Sequence, residues 1–176
     1  MTDKTRTVLL CLLTTLLVSC TQREFSAPSC RVDVSHHSSL KSPAACLISK
    51  NGRILALVHD DKSYSIPART NKPSESGQCA AHRAVWEDTG LNVKVSAPLG
   101  TLPDNTWLYA CFMQSGFDGS EETLTLPDWA NADLAYMTFV DPFDLDVKQW
   151  SKPEQLINIR DGLITSQSIA FDDKQP

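Results

Sequence analysis

The chain has 176 residues, of which 41% are hydrophobic and 21% are charged, with 7 Gly and 10 Pro. This composition is typical of one globular domain and excludes the collagenous, low-complexity and intrinsically disordered classes. The net charge of −5 leaves no basic surface large enough to neutralise a run of phosphates, so we expect no nucleic-acid partner.

The first residues have the pattern of a targeting segment. Lys4 and Arg6 precede an apolar run of 11 residues from Val8 to Val18. A membrane-spanning helix needs about 20 residues, so this run is too short to cross a bilayer and has the length of a signal-peptide core. We therefore assign residues 1–19 to a signal peptide that is removed.

The end of this segment, Leu17-Val18-Ser19-Cys20, resembles the lipobox of bacterial lipoproteins, in which the cysteine is lipidated and becomes the mature N-terminus. The resemblance implies that Cys20 attaches the protein to a membrane. The alternative is an ordinary secretory peptide that is cleaved nearby. Thr21 stands where an Asp would retain a lipoprotein in the inner membrane of enteric-type bacteria. The expected location is therefore the cell envelope, at the outer membrane facing the periplasm.

Residues 20–42 are expected to comprise the lipidated cysteine and a flexible tether, because the stretch is polar and rich in Ser. Two adjacent histidines within it are interpreted as solvated linker residues rather than a metal site. One domain then spans residues 43–170, and residues 171–176 form a C-terminal tail.

Four cysteines remain once Cys11 is removed with the signal peptide and Cys20 is lipidated: Cys30, Cys46, Cys79 and Cys111. In an oxidising compartment an even number favours one or two disulfides, with three full connectivities that the sequence does not separate. The alternative is that three of them, each inside an apolar stretch, are buried as small hydrophobic residues.

The first elements of the domain are predicted to be a hairpin and a short extended segment. Two apolar runs, residues 44–49 and 54–59, flank Lys50-Asn51-Gly52-Arg53, and an Asn-Gly pair in this position predicts a β-hairpin. Tyr64-Ser65-Ile66-Pro67 predicts a short extended segment, and residues 68–74 are predicted to form a loop.

A helix is predicted next, over residues 77–89. Ser76 suits the N-cap, Ala80, Ala81 and Val85 form an apolar stripe, and Gly90 suits the left-handed residue that ends a helix.

Later elements are predicted from alternating and apolar runs. Strands are predicted at residues 91–95, 107–113 and 135–140, and a final helix at about 153–165, opened by Pro153. The order of strands, helix, strands and helix predicts an α+β or three-layer domain rather than a doubly wound one.

Residues 64–91 carry the motif that bears most directly on function. The stretch resembles the box of the Nudix hydrolase family, G-x5-E-x7-R-E-U-x-E-E-x-G-U, where U is a bulky aliphatic residue. Six fixed positions match, and Asp88 replaces an acid conservatively. The matching residues are Glu75, Arg83, Val85, Glu87, Gly90 and Leu91. The resemblance implies a three-layer α/β/α sandwich with a mixed central sheet.

Two positions of the box depart from the family pattern, and so does the residue that precedes the box. Ala68 and Arg69 stand where the family has glycines, so this loop lacks the residues that adopt positive φ without strain. Ala84 stands where the family has the glutamate that follows the arginine, a principal metal ligand and frequent base in that family.

The resemblance assigns roles to the matching residues. Glu87 and Asp88 would hold Mg²⁺ or Mn²⁺ and serve catalysis, since acids three and four residues beyond position 84 share one helix face with it. The alternative is that Glu87 and Asp88 form a solvated acidic face of the helix with no metal-binding role. Glu75 and Arg83 would hold the loop against the helix. Arg69 does not match the box, but with Arg83 it would bind an anionic substrate if both line the same cleft as Glu87 and Asp88. Gly90 has a structural role.

The candidate metal ligands that would replace the missing glutamate are Glu121, Glu122 and Asp133, which lie beyond the box. His82 neighbours Arg83 but projects from a different side of the helix, so it is interpreted as a surface or partly buried histidine rather than a base.

Two functions stay open at this point. The first is an envelope lipoprotein with a Nudix-like domain whose hydrolysis of nucleoside-diphosphate-linked compounds is reduced or lost, because Ala84 and Arg69 replace the box Glu and Gly. The second is an active metal-dependent pyrophosphohydrolase that uses Glu87, Asp88 and a substitute acid. A nucleotide-like or other anionic ligand is expected, and a homodimer is a candidate assembly because many family members dimerise.

Overall fold

A mixed β-sheet forms the middle layer of the domain. The computed structural model describes residues 26–113 and 123–172, and eight strands lie within them. Their order in the sheet is β5-β6-β1-β2-β8-β7, with β3 beside β2 and β4 beside β1, and β1 runs parallel to β6. The strands are β1 (Ala44–Lys50), β2 (Arg53–His59), β3 (Tyr64–Ser65), β4 (Ala68–Arg69), β5 (Val93–Thr101), β6 (Trp107–Met113), β7 (Thr123–Leu124) and β8 (Leu134–Val140).

Several sequence predictions fall outside this part of the chain. The signal peptide, Cys20, Glu121, Glu122 and residues 173–176 of the tail lie outside the described residues. Within residues 26–113 and 123–172, no helix has both the length and the apolar character needed to span a membrane.

The predicted hairpin is present between β1 and β2. Asn51 and Gly52 have φ of 51° and 77°, the left-handed conformation that a type I′ turn requires at both central residues. The two strands pair next to the turn, and farther from it β4 pairs with β1 and β3 with β2. Residues 68–69, predicted as loop, are therefore strand, because they satisfy the backbone groups on the open edge of β1.

The two α-helices cover opposite faces of the sheet, which confirms the predicted three-layer α/β/α arrangement. Helix α1 (Gly77–Thr89) packs Ala80, Ala81 and Val85 against one face, where Leu55 and Leu57 of β2 are also buried. The opposite face is covered by helix α2 (Leu156–Asp172), whose inward residues are Leu156, Ile159 and Leu163.

Helix α1 has the limits that the sequence predicts. The Ser76 hydroxyl accepts a hydrogen bond from the Cys79 amide at 3.2 Å, and Gly90 ends the helix with φ of 71°. Helix α2 differs from the prediction, because a 3-10 turn over Pro153–Gln155 precedes it and it continues about two turns farther. Ser166 in this extension is buried, and its hydroxyl lies 3.2 Å from that of Ser49.

Residues 30–42, predicted to belong to a flexible tether, instead pack against the domain; we call them the N-terminal strap. Val32 bridges Val95 at the outer edge of β5, which is the edge of the sheet. The Leu40 carbonyl accepts the Gly77 amide of α1 at 2.7 Å. The strap thus covers an exposed sheet edge and accepts a hydrogen bond from a donor at the start of α1 that has no partner within the helix.

A buried glutamine and a disulfide hold the N-terminal strap in place. The Gln78 side chain is fully buried, donates to the His36 carbonyl at 2.8 Å and accepts the Ser38 amide at 2.8 Å. The Cys30–Cys79 disulfide, with a Cα separation of 5.4 Å, fixes its first residue to α1.

The second disulfide, Cys46–Cys111, joins β1 to β6 with a Cα separation of 5.8 Å. Of the three connectivities that the sequence left open, the fold therefore realises Cys30–Cys79 with Cys46–Cys111. The two predicted disulfides are therefore present, and the alternative in which Cys46, Cys79 and Cys111 are only buried small hydrophobic residues is wrong.

Candidate functional site

The start of α1 is tied to the loop before it by an arginine and a glutamate. Arg83 donates from Nε and Nη2 to the two carboxylate oxygens of Glu75, both at 2.9 Å. Its Nη2 also donates to the Thr70 carbonyl at 2.8 Å, while the Lys72 amide donates to Glu75 at 2.7 Å. Arg83 and Glu75 thus hold residues 70–75 against the helix.

Both side chains of this pair are mostly buried, at 14% and 15% exposure. Hydrogen bonds from Arg83 hold the pKa of the Glu75 carboxyl below its ordinary value, and the Glu75 carboxylate raises the pKa of Arg83. Each charge is therefore stabilised by its partner, as expected for a bidentate arginine–carboxylate pair.

A second arginine meets the acids at the end of α1. Arg69, on β4, donates from Nε to Glu87 at 3.1 Å and from Nη1 to Asp88 at 3.1 Å, and its Nη2 forms a further ion pair with the other Asp88 oxygen. Its Nη1 also donates to the Ala68 carbonyl at 2.9 Å. All three guanidinium nitrogens of Arg69 therefore have partners.

The two acids differ in their exposure to solvent. The Asp88 side chain is 4% exposed, whereas that of Glu87 is 36% exposed and also accepts hydrogen bonds from Arg83 at 3.2 and 3.3 Å. Burial raises the pKa of Asp88, while the nearby charge of Arg69 opposes that rise. Arg69 is thus the principal compensation for a carboxylate that the fold has removed from water.

Solved structures with this arrangement of strands and helices identify the fold. An ADP-ribose pyrophosphatase from Streptococcus suis superposes with a TM-score of 0.57 at 16% identity, covering 71% of this chain and 90% of that one. The domain has the Nudix fold. A Nudix hydrolase from Nitrosomonas europaea gives a TM-score of 0.54 at 17% identity over 72% of this chain and 90% of that one. A UDP-X diphosphatase superposes with a TM-score of 0.53 at 14% identity, covering 74% of this chain and 66% of that one.

Sequence comparison gives a weaker likeness in the same direction. A MutT-like protein of Streptomyces ambofaciens is 24% identical over 98 residues, which are 52% of this chain. The chain spans 64% of the length of that relative. No family model matches the chain.

The carboxylates that α1 offers do not fit a divalent cation. A methyl group stands at position 84 and is fully buried, and the two remaining acids are paired with Arg69. Among the described residues, no group of three His, Cys, Asp or Glu side chains is arranged to hold a metal ion. Asp133, predicted as a substitute ligand, is exposed and joins no such group.

Residues 68–76, before α1, also lack the backbone geometry that the glycines of the family pattern would allow at positions 68 and 69. Ala68 and Arg69 form β4 and pair with β1 at Ala45 and Ala44, and neither residue has a positive φ. In residues 68–76 the positive φ belongs to Ser74, at 68°. The strand conformation directs the Arg69 side chain toward Glu87 and Asp88 at the end of α1.

Two histidines were considered for a part in the chemistry of this region. His82, predicted to be at the surface or partly buried, is 2% exposed, and its Nε2 lies 3.1 Å from the Asn92 side-chain oxygen. His59, at a bulge of β2, was missed by sequence reasoning; its Nε2 lies 2.7 Å from the Ser65 hydroxyl. The sequence carries no signal for this pair, since β2 and β3 place the two residues together.

A cavity of about 380 Å³ lies apart from these ion pairs and is lined by residues between Leu124 and Tyr136. None of its lining residues is charged, so it lacks the cations that would bind a diphosphate. Arg69 lies beside Glu87 and Asp88 and Arg83 beside Glu75 and Glu87, so both arginines are engaged by carboxylates.

Proposed function

We propose that this protein is a Nudix-like member of the envelope lipoproteins whose metal-dependent hydrolysis of nucleoside-diphosphate-linked compounds is reduced or lost. The observation that carries the proposal is the incomplete acid cluster: Ala84 contributes no carboxylate, and Arg69 engages the acids that remain. Phosphoryl-transfer chemistry at this position depends on cations that offset charge on the phosphates, and two paired acids do not supply a place for them.

The residual role that we propose is binding rather than turnover. The ligand class is taken from the fold neighbours, which are named for ADP-ribose and UDP-X. Arg69 and Arg83 are the cations of the site, and an anionic ligand would compete with Glu75, Glu87 and Asp88 for them. Because these five side chains sum to one negative charge, we expect weak binding of diphosphates.

A turnover assay tests the loss of catalysis. The purified protein is incubated with ADP-ribose, UDP-sugars and nucleoside triphosphates in Mg²⁺ or Mn²⁺, and release of phosphate or nucleoside monophosphate is measured. We expect no metal-dependent release from the natural sequence. Metal-dependent release that Glu87→Gln abolishes would overturn the proposal and establish the active hydrolase instead.

The matched variant in this assay is Arg69→Gly/Ala84→Glu, which restores the box glycine and the box glutamate together. Recovery of turnover in this variant, with none in the natural sequence, would show that these two positions account for the loss. Ala84→Glu alone is expected to recover less, since Arg69 would still pair with the acids.

The envelope location is a separate part of the proposal and rests on the Leu17-Val18-Ser19-Cys20 sequence. Cells that express the full chain are fed an alkyne-tagged fatty acid, and the protein is examined for the label. We expect labelling that Cys20→Ala abolishes, with the labelled protein in the outer-membrane fraction. An unlabelled protein in the soluble periplasmic fraction would indicate ordinary secretion.

A further inference from the structure

The arrangement at the end of α1 is that of a cation held between two carboxylates. Arg69 donates to one oxygen of Glu87 and to both oxygens of Asp88, at 3.1 Å for the Nε–Glu87 and Nη1–Asp88 contacts. Glu87 and Asp88 are adjacent on the helix, and both carboxylates form ion pairs with the same guanidinium.

We infer that Arg69 is a built-in counter-cation that takes the place of a divalent metal ion and closes this site to one. The inference deepens the proposed function and rests on it, because it gives the same site a resident cation. It makes a claim about metal binding that does not depend on which substrate is tested.

Geometry keeps the guanidinium in place. Arg69 is a residue of β4, which pairs with β1, and the adjoining Pro67 carbonyl accepts the Cys46 amide at 3.0 Å. The side chain therefore starts from a fixed backbone point and reaches the acids without loss of translational freedom. A dissolved metal ion loses translational entropy when it binds and must also give up part of its hydration shell.

Electrostatics also favour Arg69 over a free ion. A divalent cation that approached Asp88 with Arg69 in place would meet a positive charge at hydrogen-bonding distance from the same oxygens. Asp88 is 4% exposed, so a metal ion would have to enter where the guanidinium lies. Displacement of Arg69 would in turn cost its hydrogen bonds to three oxygens of the site.

Removal of the guanidinium should therefore change how the protein responds to metal. The response is measured with Mn²⁺ alone, from the electron paramagnetic resonance signal of the free ion and from the thermal midpoint of unfolding. The natural sequence is expected to show no Mn²⁺ binding that depends on Asp88 and no shift in midpoint. Arg69→Gln, which keeps a polar side chain, is expected to bind Mn²⁺ at least about tenfold more tightly and to unfold at a higher temperature when Mn²⁺ is present.

Two matched variants identify the cause. Arg69→Lys keeps the positive charge and is expected to respond to Mn²⁺ as the natural sequence does. Arg69→Gln/Asp88→Asn removes the buried carboxylate and is expected to lose the gain seen in Arg69→Gln.

Each outcome decides the inference. Mn²⁺ binding by the natural sequence that Glu87→Gln or Asp88→Asn weakens would overturn it, as would an Arg69→Gln protein that binds no more Mn²⁺ than the natural sequence. If Arg69→Gln does not fold, the comparison of the natural sequence with Glu87→Gln still decides whether the site is closed. Turnover is not measured in this experiment, so failure of the proposed function would be recognised separately.

Discussion

Two arginine–carboxylate clusters lie along α1, share Glu87 and arise in different ways. At its start, Arg83 and Glu75 lie eight residues apart, at positions that the Nudix box pairs, and they hold a loop. At its end, Arg69 reaches Asp88 from a strand 19 residues earlier, at a position where the box has glycine. The comparison teaches that one arginine outside the acid cluster can pair with both acids that survive within it.

The largest effect is expected when the cluster at the end of α1 loses its cation. Arg69→Ala should lower the free energy of unfolding by about 3 kcal/mol, because it leaves a buried carboxylate without its principal partner. Denaturant unfolding with both disulfides intact measures the change. A loss below about 1 kcal/mol would mean that solvent reaches Asp88 in the folded protein.

The cluster at the start of α1 should be less sensitive. Glu75→Gln is expected to cost about 1–2 kcal/mol, because Arg83 keeps Glu87 and the Thr70 carbonyl as acceptors. Limited proteolysis should show faster cleavage within residues 70–75, which this glutamate anchors. If Glu75→Gln costs more than Arg69→Ala, the ranking of the two clusters is wrong.

The pH dependence of stability should differ in sign between the two ends. The pKa of Glu75 is lowered in the folded protein, so its contribution is present above pH of about 4 and is lost as the pH falls. The pKa of Asp88 is raised, so its ionisation costs stability as the pH rises through and above about 4.

Unfolding measured between pH 3 and pH 7 in matched variants separates these contributions. On acidification the natural sequence should lose stability relative to Glu75→Gln and gain stability relative to Asp88→Asn. Equal slopes for the two comparisons would remove the distinction between the clusters.

An exposed ion pair gives the smallest expected effect and a reference for the other two. Lys152 contacts Asp104 at 2.8 Å and holds the pKa of that carboxyl at about 2, yet the two side chains are 58% and 36% exposed. Lys152→Ala should cost about 0.5 kcal/mol or less. A cost similar to that of Arg69→Ala would show that burial does not set the ranking.

Local features of the fold were predictable because short-range chemistry fixes them. Asn51 and Gly52 adopt the left-handed conformations of the hairpin turn, and Ser76 and Gly90 bound α1 as predicted. The end of α2 was predicted about two turns early, and the extension includes Ser166, whose contact with Ser49 of β1 depends on packing that spacing does not show.

The site was predictable only in part. The pairing of Glu75 with Arg83 was predicted from the resemblance to the box, and it joins residues only eight apart, one in the loop before α1 and one on the helix. The partners of Arg69 do not follow from spacing, since β4 and α1 are brought together by the sheet. For the same reason the sequence left three disulfide connectivities open and treated the N-terminal strap as a tether.

The sequence by itself determined the α+β class, the hairpin, the limits of α1 and the Nudix likeness with its missing glutamate, because each depends on residue type and on short spacing. Only the tertiary structure decided which cysteines pair, that the N-terminal strap covers the sheet edge, and that Arg69 pairs with Glu87 and Asp88. These contacts join residues that are distant in the chain, and their energies arise from burial and proximity that only the folded sheet creates.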